Sequence, residues 1–309
     1  MKVAVVGCGA MGSVYAALLA AGGHDVWAVD TWQEHVDAIQ AGGLRVEGAS
    51  GERTVRISAT TAAGDVGPCD LVVLATKVMH VEAAAQAAKP LLHQKTLVLS
   101  IQNGIGGPDV AANVLGRERL LVGVASGFGA SMRAPGHAHH NGWELLRFGE
   151  LVGPISPRLN AMAALWRESG FQVKCFDNID QLVWEKLICN VAFSGPCAIT
   201  ELTIGGVIED PDIWPVAAEC ATEAFRVARA RGTQLDFEDP AAHVRCFGTR
   251  IPHARPSMLL DHLAGRASEV DALNGAIPPA AVAVGLRAPL NEAISALVRG
   301  KERRMGVRQ

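Results

Sequence analysis

The stretch Val3-Ala4-Val5-Val6-Gly7-Cys8-Gly9-Ala10-Met11-Gly12 decides the fold class of this chain. Four apolar residues of strand character run directly into G-x-G-x-x-G. A helical pattern then starts near Met11 and continues to Ala21, where Gly22-Gly23 ends it. In that setting each glycine has a physical task. Gly7 makes a tight turn, Gly9 lets the backbone approach a pyrophosphate, and Gly12 allows close helix–strand packing. The helix amino terminus offers N–H donors to the phosphates, and Cys8, Ala10 and Met11 complete the loop. The expectation is a dinucleotide-binding βα unit.

An acidic residue about 20 positions further on belongs to the same fingerprint. Asp30 stands there, at the end of a second strand (Asp25 to Asp30), placed to accept hydrogen bonds from an adenosine ribose. A carboxylate at this point repels a 2′-phosphate, and no Lys or Arg occurs between Asp25 and Leu44 to neutralise one. The local reading therefore favours NAD over NADP. A second reading makes Asp30 a cap for the helix that follows Thr31.

Outward from this unit, short β-rich runs alternate with helical stretches, which builds a parallel sheet through right-handed crossovers. Asp70–Thr76, Thr96–Ile101 and Leu120–Ala125 are uninterrupted apolar runs, as for strands covered on both faces. The segment Leu44–Ile57 reads as a hairpin inserted in the sheet region, His137–Gly149 as another hairpin, and Phe171–Phe176 as a last strand. Beyond Phe176 every periodic segment is helical, including one expected helix from Ser257 to Leu273. The boundary defines a dinucleotide-binding Rossmann domain, residues 1–176, and a helical substrate domain, residues 177–309.

Composition narrows the function classes. The 309 residues carry 28 Lys+Arg against 31 Asp+Glu, a net charge of −3, so no global basic field draws the chain to nucleic acid or an acidic membrane surface. Seven scattered cysteines without a C-x-x-C pair point to reduced thiols and a cytoplasmic setting. The apolar run after Met1 is cut at Gly7, unlike a signal peptide, and no uninterrupted apolar stretch has the length of a membrane span. His137, His139 and His140 lack a further ligand at metal-binding spacing, so no metal is expected.

Polar residues recur where strands should end: Thr76-Lys77 after Leu71–Ala75, and Gln102-Asn103-Gly104 after Leu97–Ile101. The carboxyl ends of strands line the ligand crevice of a doubly wound sheet, which directs Lys77 and Asn103 toward cofactor and substrate. In the helical half, Trp184-Glu185-Lys186-Leu187-Ile188-Cys189-Asn190-Val191-Ala192-Phe193-Ser194 places Lys186, Asn190 and Ser194 at i, i+4 and i+8 on one stripe of an apolar helix. Such a stripe calls for a wet cleft or a ligand.

Taken together, the glycine loop, Lys77, Gln102-Asn103-Gly104, the Trp-x-Lys-x-x-x-Asn helix, Pro256-Ser257-Met258-Leu259 and Glu269-Val270-Asp271-x-x-Asn274-Gly275 resemble the ketopantoate reductases (2-dehydropantoate 2-reductases). The resemblance runs from Met1 to about Lys301. It implies a Rossmann domain followed by an all-helical domain of the 6-phosphogluconate dehydrogenase C-terminal type, with the active site in a cleft between them. It further implies a nicotinamide cofactor that delivers hydride to a 2-oxo acid.

By position, the resemblance makes Lys186 the catalytic lysine and Glu269 the carboxylate that orients it or the new hydroxyl. Asn103 and Asn190 become amide ligands of nicotinamide and substrate, Ser194 a further substrate contact, Ser257 a contact to the substrate carboxylate, and Lys77 a cofactor-side or active-site cation. Ser257 also reads as a helix N-cap after Pro256. On an ideal helix Glu269 would lie about 120° round from Ser257.

Two departures bear on the substrate and the cofactor. The family usually has asparagine where Ser194 stands. It also usually prefers NADPH, with arginine at the position of Thr31. The leading expectation is reduction of 2-dehydropantoate to pantoate. The alternative within the class is an NAD-linked dehydrogenase of another D-2-hydroxy acid, and from a different class, a catalytically silent nucleotide-binding or interaction protein. The partner expected is a small 2-oxo acid, with no nucleic acid and no membrane, and the apolar helices leave room for a homodimer interface.

Overall fold

The computed structural model describes residues 1–127, 129–142 and 145–308. The chain divides into two compact units, one of Met1–Gln102 with Gly106–Ile179, the other of Asn103–Ile105 with Asp180–Gln309.

The first unit contains β1 (Lys2–Val6), α1 (Ala10–Ala21), β2 (Asp25–Val29), α2 (Gln33–Gly42), β3 (Leu44–Gly48), β4 (Arg53–Val55), β5 (Ser58–Thr60), β6 (Leu71–Leu74), α3 (Val81–Ala88), β7 (Leu97–Ser100), α4 (Gly107–Leu115), β8 (Leu120–Ala125), β9 (Gly129–Ala134), β10 (His137–Gly142), β11 (Leu146–Glu150), α5 (Pro157–Glu168) and β12 (Val173–Cys175). Its main sheet has the order β12-β11-β8-β7-β6-β1-β2-β5. The strands from β5 to β8 are parallel, and β11 joins antiparallel to β8. The order reverses at β1, which pairs with β2 on one side and β6 on the other. A ligand crevice forms outside the carboxyl ends of strands at such a switch point, and Gly7 begins there.

The apolar runs explain why this sheet is covered twice. Along β1, Val3 and Val5 enter one core while Ala4 and Val6 enter another. Along β6, Leu71 and Val73 enter the first core, and Val72 and Leu74 the second. Alternate side chains point to opposite faces, so only a strand buried on both sides tolerates a continuous apolar run. The first core centres on fully buried Trp166, whose ring lies 5.4 Å from Tyr15, 5.2 Å from Phe148 and 4.6 Å from Phe171.

Two expected hairpins are corrected. Leu44–Ile57 does hold the antiparallel pair β3–β4, but in a separate sheet of order β4-β3-β10-β9. Leu44 and Val46 turn into the Trp166 core together with Ala138, and the main-sheet edge beside β2 is taken by β5. His137–Gly149, by contrast, is not a hairpin. β10 folds back on β9 around Gly136 (φ +72°), whereas β11 lies in the main sheet. Trp143 and Glu144, within that expected hairpin, lie outside the described residues.

The second unit contains α6 (Ile179–Thr200), α7 (Ile204–Glu209), α8 (Ile213–Ala230), α9 (Pro240–Thr249), α10 (Ser257–Leu263), α11 (Ile277–Ala283) and α12 (Pro289–Arg304). By length and composition α6, with 22 residues, is apolar enough to cross a membrane. It also supplies this unit's core, through Trp184, Leu187, Ile188, Val191, Ala192, Phe193 and Cys197. The single helix expected from Ser257 to Leu273 does not form. α10 stops at Leu263 because Gly265 (φ +65°) reverses the backbone and the Arg266 N–H donates to the Asp261 carbonyl at 2.8 Å. Two 3-10 turns follow, Val270–Ala272 and Asn274–Ala276.

Candidate active site

In the first unit, the loop from Gly7 to Gly12 shows why each glycine is there. At Gly7 (φ +87°) a Cβ would stand 2.6 Å from the Thr76 backbone nitrogen, so the loop and the segment after β6 approach at backbone distance. At Gly12 a Cβ would stand 2.1 Å from the Gly7 carbonyl oxygen, which presses α1 against its own entry turn. At Gly9, the N-cap of α1, a Cβ would meet nothing within 4 Å. The first and third glycines are thus required by packing inside the protein, and the second opens onto free space at a helix amino terminus. That arrangement fits the pyrophosphate of a dinucleotide. Cys8 is fully buried, and burial pushes its thiol up to about 12, so it is no nucleophile at neutral pH.

Asp30 follows β2, and its Oδ1 accepts from the Trp32 N–H at 2.9 Å. This Asx turn leads into α2, whose N-cap is Trp32, so Asp30 shapes the helix entry without being the cap itself. The expectation of a capping Asp30 is modified accordingly. Trp32 stacks on buried His35 at 5.2 Å. Lys77 is half-buried immediately beyond Thr76, at the start of a 3-10 turn. Gln102 is used structurally: its Nε2 donates to the Leu74 carbonyl at 2.6 Å, and its Oε1 accepts from Ser100 at 2.5 Å, tying the ends of β6 and β7 together.

The second unit brings three expected residues together. Lys186 Nζ, on α6, donates to Asn103 Oδ1 at 2.7 Å. Asn103 Nδ2 donates to Glu269 Oε2 at 3.3 Å. An ammonium only donates and a carboxylate only accepts, so the two partners determine how the amide is turned. Gly104 makes this possible. Its φ is +78°, and a Cβ would stand 2.1 Å from the Ala272 carbonyl, so any other residue would lift Asn103 away from the turn that follows Glu269. The Ile105 N–H also donates to that carbonyl, at 3.4 Å. Glu269 is 9% exposed, and a cation joined to a carboxylate through an amide in such surroundings is electrostatically stronger than in water.

The remaining stripe on α6 is present. Asn190 is half-buried one turn beyond Lys186, and Ser194 is buried a turn further. Gly195 explains how closely this helix is packed, since a Cβ there would stand 2.3 Å from Ile294 and 2.9 Å from Asn274 Oδ1. Cys189 lies beside Asn190, and burial pushes its thiol up to about 12. Ser257 is exposed at the first position of α10. The cap is Pro256, with no side chain closing the helix, so the N-cap reading of Ser257 is set aside. Glu269 does not share a helix with Ser257, and the expected 120° relation between them lapses with the helix.

Residues not singled out in the sequence hold the Glu269 segment: Ser268, Glu302 and Arg308. A signal existed. Asn291, Ile294, Ser295, Val298 and Glu302 form the buried stripe of α12, and an acid on a buried stripe needs donors.

Comparison with known proteins agrees along the whole chain. The profile of the ketopantoate reductase PanE/ApbA family matches residues 3–153, and that of its C-terminal domain, "Ketopantoate reductase PanE/ApbA C terminal", residues 178–302. The chain is 32% identical to a 2-dehydropantoate 2-reductase of Pyrococcus abyssi, over 98% of both chains. It superposes with a TM-score of 0.91 on a PanE/ApbA family ketopantoate reductase from Ralstonia eutropha, at 34% identity, covering 99% of this chain and 100% of the other. It superposes equally, at 0.91 and 28% identity over 100% of both chains, on D-mandelate dehydrogenase solved with NADH and anilino(oxo)acetate. With both domain profiles in register and the fold reproduced over its full length, this chain belongs to the ketopantoate reductase family.

Proposed function

We propose that the protein reduces the ketone of 2-dehydropantoate to the alcohol of pantoate, with Lys186 as proton donor. The observation that carries this reading is the hydrogen-bonded set Lys186–Asn103–Glu269. A nicotinamide cofactor, when bound, supplies hydride to the ketone carbon. The electron pair leaving the C=O bond then accumulates on oxygen, and the Lys186 ammonium stabilises that charge and gives it a proton. Glu269, through the Asn103 amide, keeps the lysine directed. Asn190 and Ser194 offer hydrogen bonds to the substrate, and Ser257 one to its carboxylate. A positioned cation in partly desolvated surroundings stabilises an alkoxide far better than water does.

The cofactor proposed is NADH. The Asp30 carboxylate stands at the end of β2 and is held there by Trp32, where it would accept from ribose hydroxyls and repel a 2′-phosphate. Lys77 serves as a cofactor-side cation. All seven cysteines are free thiols, in keeping with a cytoplasmic, reducing setting.

A second reading is reduction of a different 2-oxo acid to a D-2-hydroxy acid with NADH. Ser194 supports it, because a serine reaches less far than an asparagine and leaves room for a bulkier or less polar group. The resemblance to D-mandelate dehydrogenase bound to NADH supports it as well. Purified protein assayed by nicotinamide absorbance, with ketopantoate and with aromatic and branched 2-oxo acids, decides between them. Ketopantoate should exceed the others in kcat/KM. A reversal would establish the second reading, and no turnover of any 2-oxo acid would overturn both.

A further inference from the structure

The carboxylate of Glu302, on α12, is fully buried and receives donors on both oxygens. Oε1 accepts from the Ser268 N–H at 2.8 Å, from Ser268 Oγ at 2.5 Å and lies 3.2 Å from His262 Nε2. Oε2 accepts from Arg308 Nη1 at 2.7 Å. Ser268 immediately precedes Glu269. On the other side of Glu269, Asp271 accepts from Arg299 Nε at 2.8 Å and from Arg308. Asn274 Nδ2 then donates to Asn291 Oδ1 at 3.0 Å. Residues 268–274 are therefore fastened to α12 at three successive points, and Glu302, Arg299 and Asn291 all belong to that one helix.

A buried acid gathers these donors, and the backbone N–H among them belongs to the neighbour of Glu269. We propose that Glu302 is a positioning residue: by holding Ser268 it sets where the Glu269 carboxylate stands against Asn103 and Lys186. The proposal rests on the reductase reading only for its kinetic consequence. Charge-assisted bonds to a buried carboxylate resist displacement more than neutral ones do, which suits a group that must keep another in register.

The variant Glu302→Gln keeps the volume and tests the charge. The Ser268 N–H and the Arg308 guanidinium both only donate, so whichever way the new amide turns, one of them faces an NH2 group. Either the Ser268 N–H loses its acceptor, or Arg308, which also binds Asp271, loses its anchor on α12; Ser268 and Asp271 flank Glu269. Crystal structures of the protein and of Glu302→Gln should show Glu269 Oε2 leaving hydrogen-bond reach of Asn103 Nδ2. The wild-type distance retained in the variant overturns the proposal.

Kinetics give a second arm. Glu302→Gln should lower kcat about 10-fold with the KM for NADH unchanged. The same change made in Glu269→Gln should cost less than about 2-fold, because a residue acting through Glu269 has nothing left to position. Equal losses in both backgrounds would mark a merely structural role and overturn the proposal. If Glu302→Gln does not fold, Ser268→Ala carries both measurements, with Ser268→Thr expected to restore the rate. A wild-type protein inactive on all 2-oxo acids sinks the reductase reading, and the crystallographic comparison still decides the positioning role.

Discussion

Lys186 and Asn103, 83 positions apart in sequence, meet in a 2.7 Å hydrogen bond from ammonium to amide oxygen. The amide nitrogen of Asn103 then reaches Glu269, a further 166 positions along the chain. A charge-assisted bond of this kind holds a flexible lysine in one rotamer, so its rotamer entropy is lost before a substrate arrives.

Lys186→Ala should lower kcat by about 10²-fold or more, the range for loss of a general acid, with thermal stability nearly unchanged since Lys186 is only half-buried. Steady-state kinetics with a melting curve as control test this. An unaltered kcat would remove Lys186 from the chemistry. Asn103→Asp, which sets a second carboxylate against Glu269, should also lower kcat, by about 10-fold or more.

Gly9→Ala and Gly12→Ala should separate ligand space from packing. The added methyl at residue 12 meets the Gly7 carbonyl at 2.1 Å, so the loop must distort, and stability should fall by about 1–3 kcal/mol together with cofactor affinity. At residue 9 the methyl has room. Melting temperature should be kept there while NADH affinity falls, as measured by fluorescence titration. A Gly9→Ala protein that binds NADH normally would remove the pyrophosphate from that position.

Asp30→Ala should raise kcat/KM for NADPH relative to NADH by about 10-fold or more, since removing one like charge at close range relieves a few kcal/mol of repulsion. Parallel assays with both cofactors read this ratio directly. A ratio that stays put would exclude Asp30 from cofactor choice.

Acid should destabilise the fold through its buried histidines. His140, in β10, is fully buried, and desolvation holds its pKa down to about 4 from an ordinary 6.5. His35 is lowered for the same reason. Between pH 6.5 and 4 the unfolded chain takes up a proton that native His140 refuses. Its contribution is therefore complete above pH 6.5 and declines as pH falls toward 4. Urea unfolding at several pH values should show this slope, and His140→Leu should flatten it. An identical slope in the variant would assign the acid sensitivity elsewhere.

How much of this was legible in advance differs by residue. The strand, the turn and the helix of residues 3–21 follow from local rules, because β-branched runs, glycine φ preferences and helix periodicity act within a few residues of one another. The roles of Gly7 and Gly12 are legible for the same reason. The destination of the Leu44–Ile57 hairpin was not, since pairing of β3 with β10 depends on which apolar faces pack against the distant Trp166 core. The helix expected through Leu273 failed because periodicity continued beyond a glycine whose positive φ is decided by the Arg266–Asp261 contact.

The sequence by itself determined that a glycine-rich loop of the G-x-G-x-x-G pattern joins the first strand to the first helix, that Lys186, Asn190 and Ser194 share a helix stripe, and that Asn103 and Glu269 are polar residues in motifs of a reductase family. Only the tertiary structure decided that Lys186, Asn103 and Glu269 join in one hydrogen-bonded set, that Gly104 permits it, and that Glu302 braces it from α12. Loop and stripe arise from interactions a few residues long, which composition and spacing record. The triad and its brace close distances of tens to hundreds of residues, and burial of the whole core selects among the many pairings that local chemistry allows.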